Sequence, residues 1–228
     1  MNLERLSQIK SVGIELEGGY CDDCVFPIIE KYRRLLHIDI DDDGSVSVKI
    51  FCPIHKIRND EIGDYDDNTN HKEILAWTTK DKLPLLFEFV NKLFKSGGFR
   101  QNYTCGNHVN VRFKGKSKDM IVETFRLEKT WKEFEKDYRS AFKDKKYLTR
   151  LNNRYCKSTW KSSLQGLGSF YNEYIQEYDN RYRMINLLSL FEEQKTLEFR
   201  ILPRFKDGHE AKYSMLKLLS IVNKQVSK

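Results

Sequence analysis

Proline is scarce in this chain, at 4 of 228 residues, and there are only 5 cysteines. With so little proline, and with 39% hydrophobic and 13% aromatic residues, the chain is not a disordered or low-complexity one, which would lack the apolar surface needed to offset ordering entropy. An odd cysteine count in a chain of ordinary length excludes a fully paired disulfide framework and favours reduced thiols or a metal site. Long hydrophobic runs are missing as well. The longest, Leu83 to Phe94, is broken by Glu88, Asn91 and Lys92. A bilayer span needs about 20 consecutive apolar residues, so no transmembrane helix is expected. The opening MNLERLSQIKSVGIELEGG has no uninterrupted apolar core, so no secretory leader and a cytoplasmic location are expected. A chain of this size can bury a sizeable core, and a single domain over 1–228 is expected.

Charge is unevenly placed. The formal net charge is +7, yet residues 1–80 carry 10 basic and 16 acidic side chains, a net of −6. Residues 112–161 carry 16 basic and 7 acidic, a net of +9. A basic excess of this kind can steer an anionic partner such as a nucleotide or nucleic acid. The ordinary alternative is a solvated helix face of mixed charge, since a patch alone is only an electrostatic footprint.

Several segments alternate with period 2 and predict strands with one buried face. They are Val12 to Glu17, Ser45 to Phe51 behind the turn Asp43-Gly44, Glu73 to Trp77, Phe99 to Thr104, His108 to Phe113 and Thr196 to Leu202. Between them Val25, Ile28, Ile29, Tyr32, Leu35 and Leu36 form one helical stripe. Asp81 to Ser96 reads as a helix stopped at Gly97-Gly98. Residues 117–148 read as one long charged helix anchored by Ile121, Phe125, Trp131, Phe134 and Phe142, within a charged helical segment reaching about 180, and 208–225 as a terminal helix. Asp60 to Asn70 is the most loop-like stretch. Short connections such as Thr104 to Asn107 favour antiparallel pairing. The expectation is an α+β fold: an antiparallel sheet with one polar face and helices packed on the other, apolar face.

The polar faces carry unusual groups. Glu15 and Glu17 oppose Val12, Ile14 and Leu16; His108, Asn110 and Arg112 oppose Val109, Val111 and Phe113; Glu198 and Arg200 oppose Leu197, Phe199 and Ile201. Half-buried strands ordinarily turn charges to water. A Glu-x-Glu pair, however, repels itself unless a cation lies between the carboxylates. Carboxylates on adjoining strands offer the oxygen-rich surroundings that Mg²⁺ with a phosphate ligand requires.

Taken in order, Gly13-Ile14-Glu15-Leu16-Glu17, Asp43-Gly44-Ser45, Glu73-Ile74, Gly106 to Val111, Arg181 to Leu187 and Thr196 to Arg200 resemble the motifs of the amidoligases. These are glutamine synthetase-like carboxylate–amine ligases, related to the glutamate–cysteine ligases. The resemblance covers about residues 12–203. It departs at one point, where the family commonly reads His-x-His and this chain has His108-Val109-Asn110. The resemblance implies a glutamine synthetase-like catalytic fold and ATP-dependent formation of an amide through an acyl phosphate, with amino acids or peptides as substrates. It implies that Glu15, Glu17 and Glu198 hold Mg²⁺, with Glu73 a further ligand or the contact for the substrate amine. It also implies that His108 contacts a phosphate or the substrate carboxylate, that Asn110 lies in the ATP site, that Arg183 and Arg200 bind the transferring phosphoryl group, and that Asn186 positions one of these side chains.

A second metal site is read from spacing. Cys21-x2-Cys24 is followed 27 residues later by Cys52-x2-His55, and two such pairs fit tetrahedral Zn²⁺. Cys105 and Cys156 read as core thiols. The alternative function is a zinc-stabilised basic nucleic-acid-binding protein using the 112–161 segment. A weaker third is a Mg²⁺ nuclease using Asp43, Lys72 and Glu73.

Overall fold

Val12 to Glu17, Glu73 to Trp77 and His108 to Phe113 fold as strands that run longer than their clearest alternation, and Thr196 to Leu202 is a strand from Leu197 onward. The structure is a computed structural model, and it describes residues 3–42, 51–52, 57–58, 71–151, 183–191 and 195–228. Its residues fall into two compact units, Met1–Ser11 with His108–Leu202 and Met215–Lys228, and Val12–Asn107 with Pro203–Ser214.

The second of these units contains most of β1 (Ile9–Tyr20), then α1 (Asp22–Arg33), β2 (His37–Asp42), β3 (Phe51–Cys52), β4 (Ile57–Arg58), β5 (His71–Thr79), α2 (Leu83–Lys95) and β6 (Phe99–Arg100). The paired order is β2-β5-β1, with β6 also on β1. β2 and β5 are antiparallel from His37↔Trp77 to Asp42↔Lys72, and β6 is antiparallel to the end of β1. β3 and β4 form a separate two-stranded pair. Val12, Ile14 and Leu16 of β1 and Ile74 and Ala76 of β5 are fully buried, as are Val25 and Ile29 of α1 and Leu86, Phe89, Val90 and Leu93 of α2. The apolar stripes of both helices thus supply core. α2 ends as its glycines predict: Ser96 N–H caps onto the Leu93 carbonyl, and Gly97 takes the left-handed conformation at φ 72°, which costs a residue without a side chain little.

Tyr32 ties these helices together. Its ring lies 5.5 Å from that of Phe89, and its hydroxyl donates to Glu88 Oε1 at 2.6 Å. Burial, with the hydrogen bond to Glu88 and its charge, pushes the phenol up to about 12. A raised phenol contributes stability that is present below its ordinary value of 10.0 and lost as pH rises towards about 12. The wild type is therefore expected to lose stability between those values, and Tyr32→Phe to show a flatter alkaline limb in urea-unfolding midpoints. Identical alkaline slopes would remove this pair from the account.

The other unit contains most of β7 (Gly106–Phe113) and β9 (Leu197–Pro203), with α3 (Lys118–Phe125), α4 (Glu128–Ala141), α5 (Lys145–Arg150), β8 (Ile185–Asn186) and the larger part of α6 (Gly208–Val226). The paired order is β7-β9-β8, with β8 antiparallel to β9. The apolar face of β9 meets the helices through aromatic rings. Phe199 stacks on Phe134 of α4 at 5.5 Å and meets Phe125 of α3 edge-on at 6.1 Å. Tyr138 of α4 donates to the Ile201 carbonyl at 2.9 Å. Rings dominate the energetics of such a core because each removes a large apolar area from water.

The long helix expected over 117–148 is three helices. Ser117 caps the first by accepting from Met120 N–H. Leu127 is extended, and Trp131 Nε1 donates to the Phe125 carbonyl, which closes the end of α3. Phe142 is extended at the end of α4, and Asp144 accepts from Lys146 N–H to start α5. All five expected anchors are nonetheless buried. β2 was not expected; its acidic residues Asp39, Asp41 and Asp42 resemble a turn, while Ile38 and Ile40 carry the alternation. The strand expected over Phe99 to Thr104 is confined to Phe99–Arg100. Residues 43–50, 59–70 and 152–182, which include most of the Ser45 to Phe51 strand and the end of the charged segment, lie outside the described residues. The chain is α+β, with antiparallel strand pairs and helices on their apolar faces. Among the described residues no helix is long and apolar enough to cross a membrane.

Candidate functional site: a buried charge cluster on β7 and β9

The polar faces of β7 and β9 do not turn to water. Every residue of β7 except Arg112 is buried, and every residue of β9 except the half-buried Arg200. His108 and Asn110 are each 2% exposed and Glu198 is 4% exposed. An ionised carboxylate in such a place is costly unless it is paired and hydrogen-bonded, so its partners define the site.

Glu198 has a partner for each lone-pair direction that a carboxylate commonly uses. Arg200 Nη1 donates to Oε1 at 2.6 Å, and His108 Nδ1 lies 3.1 Å from the same oxygen. Asn186 Nδ2 donates to Oε2 at 2.5 Å and Ser189 Oγ donates to it at 3.2 Å. Burial alone would raise this carboxyl. The Arg200 charge, the His108 hydrogen bond and charge, and the Asn186 hydrogen bond outweigh it and hold Glu198 well below the usual carboxylate range.

Local structure explains how the donors arrive. Asn186 is the direct cross-strand partner of Glu198, so the β8–β9 register aims its amide at the carboxylate. Its Oδ1 accepts from Leu188 N–H at 2.9 Å and so starts the 3-10 turn Leu188–Leu190, which carries Ser189 into the cluster. Arg200 N–H donates to the Met184 carbonyl at 3.0 Å, fixing the segment in which Arg183 lies half-buried. Asn110 Oδ1 accepts from Thr196 Oγ1 at 3.2 Å.

The remaining expected carboxylates belong to the other unit. Glu15 is half-buried on β1, and Glu73 is half-buried on β5 opposite Asp41 of β2, a like-charge pairing. Glu17 is buried, and its Oε2 accepts from Gly106 N–H. Gln101 fastens the same strand by donating to the Glu17 carbonyl at 2.6 Å and exchanging hydrogen bonds with the Asn107 amide. Trp77 lies over Gly13, where a Cβ would come within 2.7 Å of the indole. The glycine that opens the Gly13 to Glu17 motif therefore makes room for an aromatic ring.

The residues that sequence reasoning missed are Ser189, Thr196 as a partner of Asn110, and Gln101. Ser189 lies outside the alternating segments, where no periodic signal could place it, and Gln101 falls within the stretch expected as a strand but just beyond the observed Phe99–Arg100. Of the expected zinc ligands, Cys21 and Cys24 lie together at the start of α1. Cys52 is placed only as backbone in β3, and its side chain and all of His55 lie outside the described residues. The same holds for Asp43, Arg181 and the side chain of Lys72. Comparison with protein-family models, with curated proteins and with solved structures gives no match.

Proposed function

We propose that this chain is an ATP- and Mg²⁺-dependent carboxylate–amine ligase that joins an amino acid or peptide carboxylate to an amine through an acyl phosphate. The observation that carries the reading is the buried, ionised Glu198 held between Arg200 and His108. An ionised carboxylate of this kind is suited to a hard cation, and a guanidinium fork is suited to a phosphate. Its support from sequence is the run of amidoligase-like motifs in order. Glu198, with Glu15 and Glu17, would hold Mg²⁺, which would neutralise charge on the nucleotide phosphates. Both Glu198 oxygens already accept hydrogen bonds, so cation binding has to exchange a donor. Arg200, as the half-buried member, is the one to swing from the carboxylate to the phosphoryl oxygens. His108 would donate to a phosphate or the substrate carboxylate, Arg183 would add a second cation, Glu73 would receive the amine, and Asn110 would orient this face through Thr196.

An acyl-phosphate route transfers the terminal phosphoryl group, so ADP and phosphate are the expected nucleotide products. The experiment is phosphate release with pooled amino acids and short peptides, followed by mass analysis for a product lighter by one water than its precursors. Glu15→Gln should abolish release without altering the unfolding midpoint by much, since this side chain is half-buried. AMP and pyrophosphate would replace the reading with an adenylating enzyme. No cleavage, together with salt-dependent RNA or DNA binding, would replace it with the basic nucleic-acid-binding alternative.

A further inference from the structure

Cys21 and Cys24 have no part in the ligase reading. Cys21 is the N-cap of α1 and Cys24 its third residue. The amides of Cys24 and Val25 both donate to the Cys21 carbonyl at 3.1 Å, closing a tight turn around the pair. Neither forms a disulfide. Both side chains leave the turn on one side, against Gly98. A Cβ built at Gly98 would lie 2.4 Å from Cys24 Cβ, 3.0 Å from Cys24 Sγ and 3.4 Å from Cys21 Cβ. Those distances place the two cysteine Cβ atoms within about 6 Å of each other, close to the separation of about 3.5–4.5 Å in a disulfide. Gly98 also accepts from Cys21 N–H at 2.8 Å, and its neighbour Phe99 pairs with Tyr20. The pair is therefore held between the end of β1 and the loop after α2. Cys24 is half-buried and Cys21 is 8% exposed, an accessible thiol beside a shielded one.

We infer that Cys21 and Cys24 form a reversible dithiol–disulfide couple that takes its oxidising equivalents from a low-molecular-weight disulfide. The Cys24 thiolate attacks one sulfur of glutathione disulfide, forming a mixed disulfide and releasing one glutathione thiolate. The Cys21 thiolate then attacks Cys24 Sγ and releases the second. The protein loses two protons and two electrons, and the glutathione disulfide becomes two glutathione molecules. A disulfide needs only these two residues, whereas tetrahedral zinc needs two more ligands.

The test equilibrates the full chain with glutathione and glutathione disulfide, quenches the thiols with acid, and reads intact and peptide masses. The expected result is a chain lighter by two hydrogens, mapped to the peptide holding Cys21 and Cys24 and reversed by dithiothreitol. Cys21→Ser, which lacks the resolving thiol, should instead accumulate a glutathione adduct on Cys24. A wild type that accumulates the same adduct without an internal disulfide would overturn the inference. So would a pair that does not react and is found, by metal analysis, to carry one equivalent of zinc. The wild-type masses decide the matter even if the variant fails to fold.

Discussion

Glu198→Gln is expected to lower stability at neutral pH by about 3 kcal/mol, because breaking a buried ion pair from one side leaves the other charge uncompensated. The side chain is nearly isosteric, so its volume is kept. What is lost is the negative charge opposite Arg200 at 2.6 Å and His108 at 3.1 Å. Replacing a carboxylate with an amide would be mild on a solvated strand face, and on this buried one it is not. Adding Arg200→Met to the Glu198→Gln background should recover much of the loss, since removing both charges is far less costly than removing one. The pH dependence follows from the direction of the shift. Glu198 is held below its ordinary value of 4.5, so its contribution is present above that value and is lost as pH falls below it. Urea-unfolding midpoints from neutral pH down to acid should show this limb in the wild type and a flatter one in Glu198→Gln. Equal stability of wild type and variant at neutral pH would show that the pair is not held as described.

Arg200→Lys is expected to reduce the rate of ATP cleavage by about 10²–10³-fold while Mg·ATP affinity changes little. That is the scale for losing a donor directed at charge that develops in the transition state. Lysine keeps the positive charge and still pairs with Glu198, so the cluster remains neutralised. It lacks the planar fork that holds two oxygens at once. The measurements are single-turnover phosphate release and calorimetric Mg·ATP titration on the same preparations. A variant that turns over like the wild type would remove Arg200 from the phosphoryl-transfer role and leave it as the partner of Glu198 alone. Because the result separates rate from affinity, a fold defect would not mimic it.

Strand identities and apolar faces were legible because a strand with one buried side must repeat every second residue. Val109, Val111, Leu197, Phe199 and Ile201 declare that face without reference to anything distant. Helix α2 was legible for the same kind of reason, with its stripe and the glycine pair that ends it. The single helix expected over 117–148 was not correct in detail. Its breaks depend on Leu127 and Asp144 as N-cap positions and on Trp131 reaching back to Phe125, and a run of helix-forming charged residues conceals such positions. β2 was missed because an acidic alternation looks like a turn until β5 is present to pair with it.

The same division runs through the candidate site. Composition and alternation alone determined which side chains share a face: Glu15 with Glu17, His108 with Asn110, Glu198 with Arg200. They could not determine whether that face is wet. That was decided by the tertiary structure, because exposure belongs to the whole packed chain and not to the strand. Only once His108, Asn110 and Glu198 are buried do their polar groups require partners. The β8–β9 register, the 3-10 turn holding Ser189 and the pairing of Arg200 with Glu198 supply them. The period of a strand follows from local backbone geometry, whereas the low dielectric that gives a carboxylate its chemistry comes only from everything packed around it.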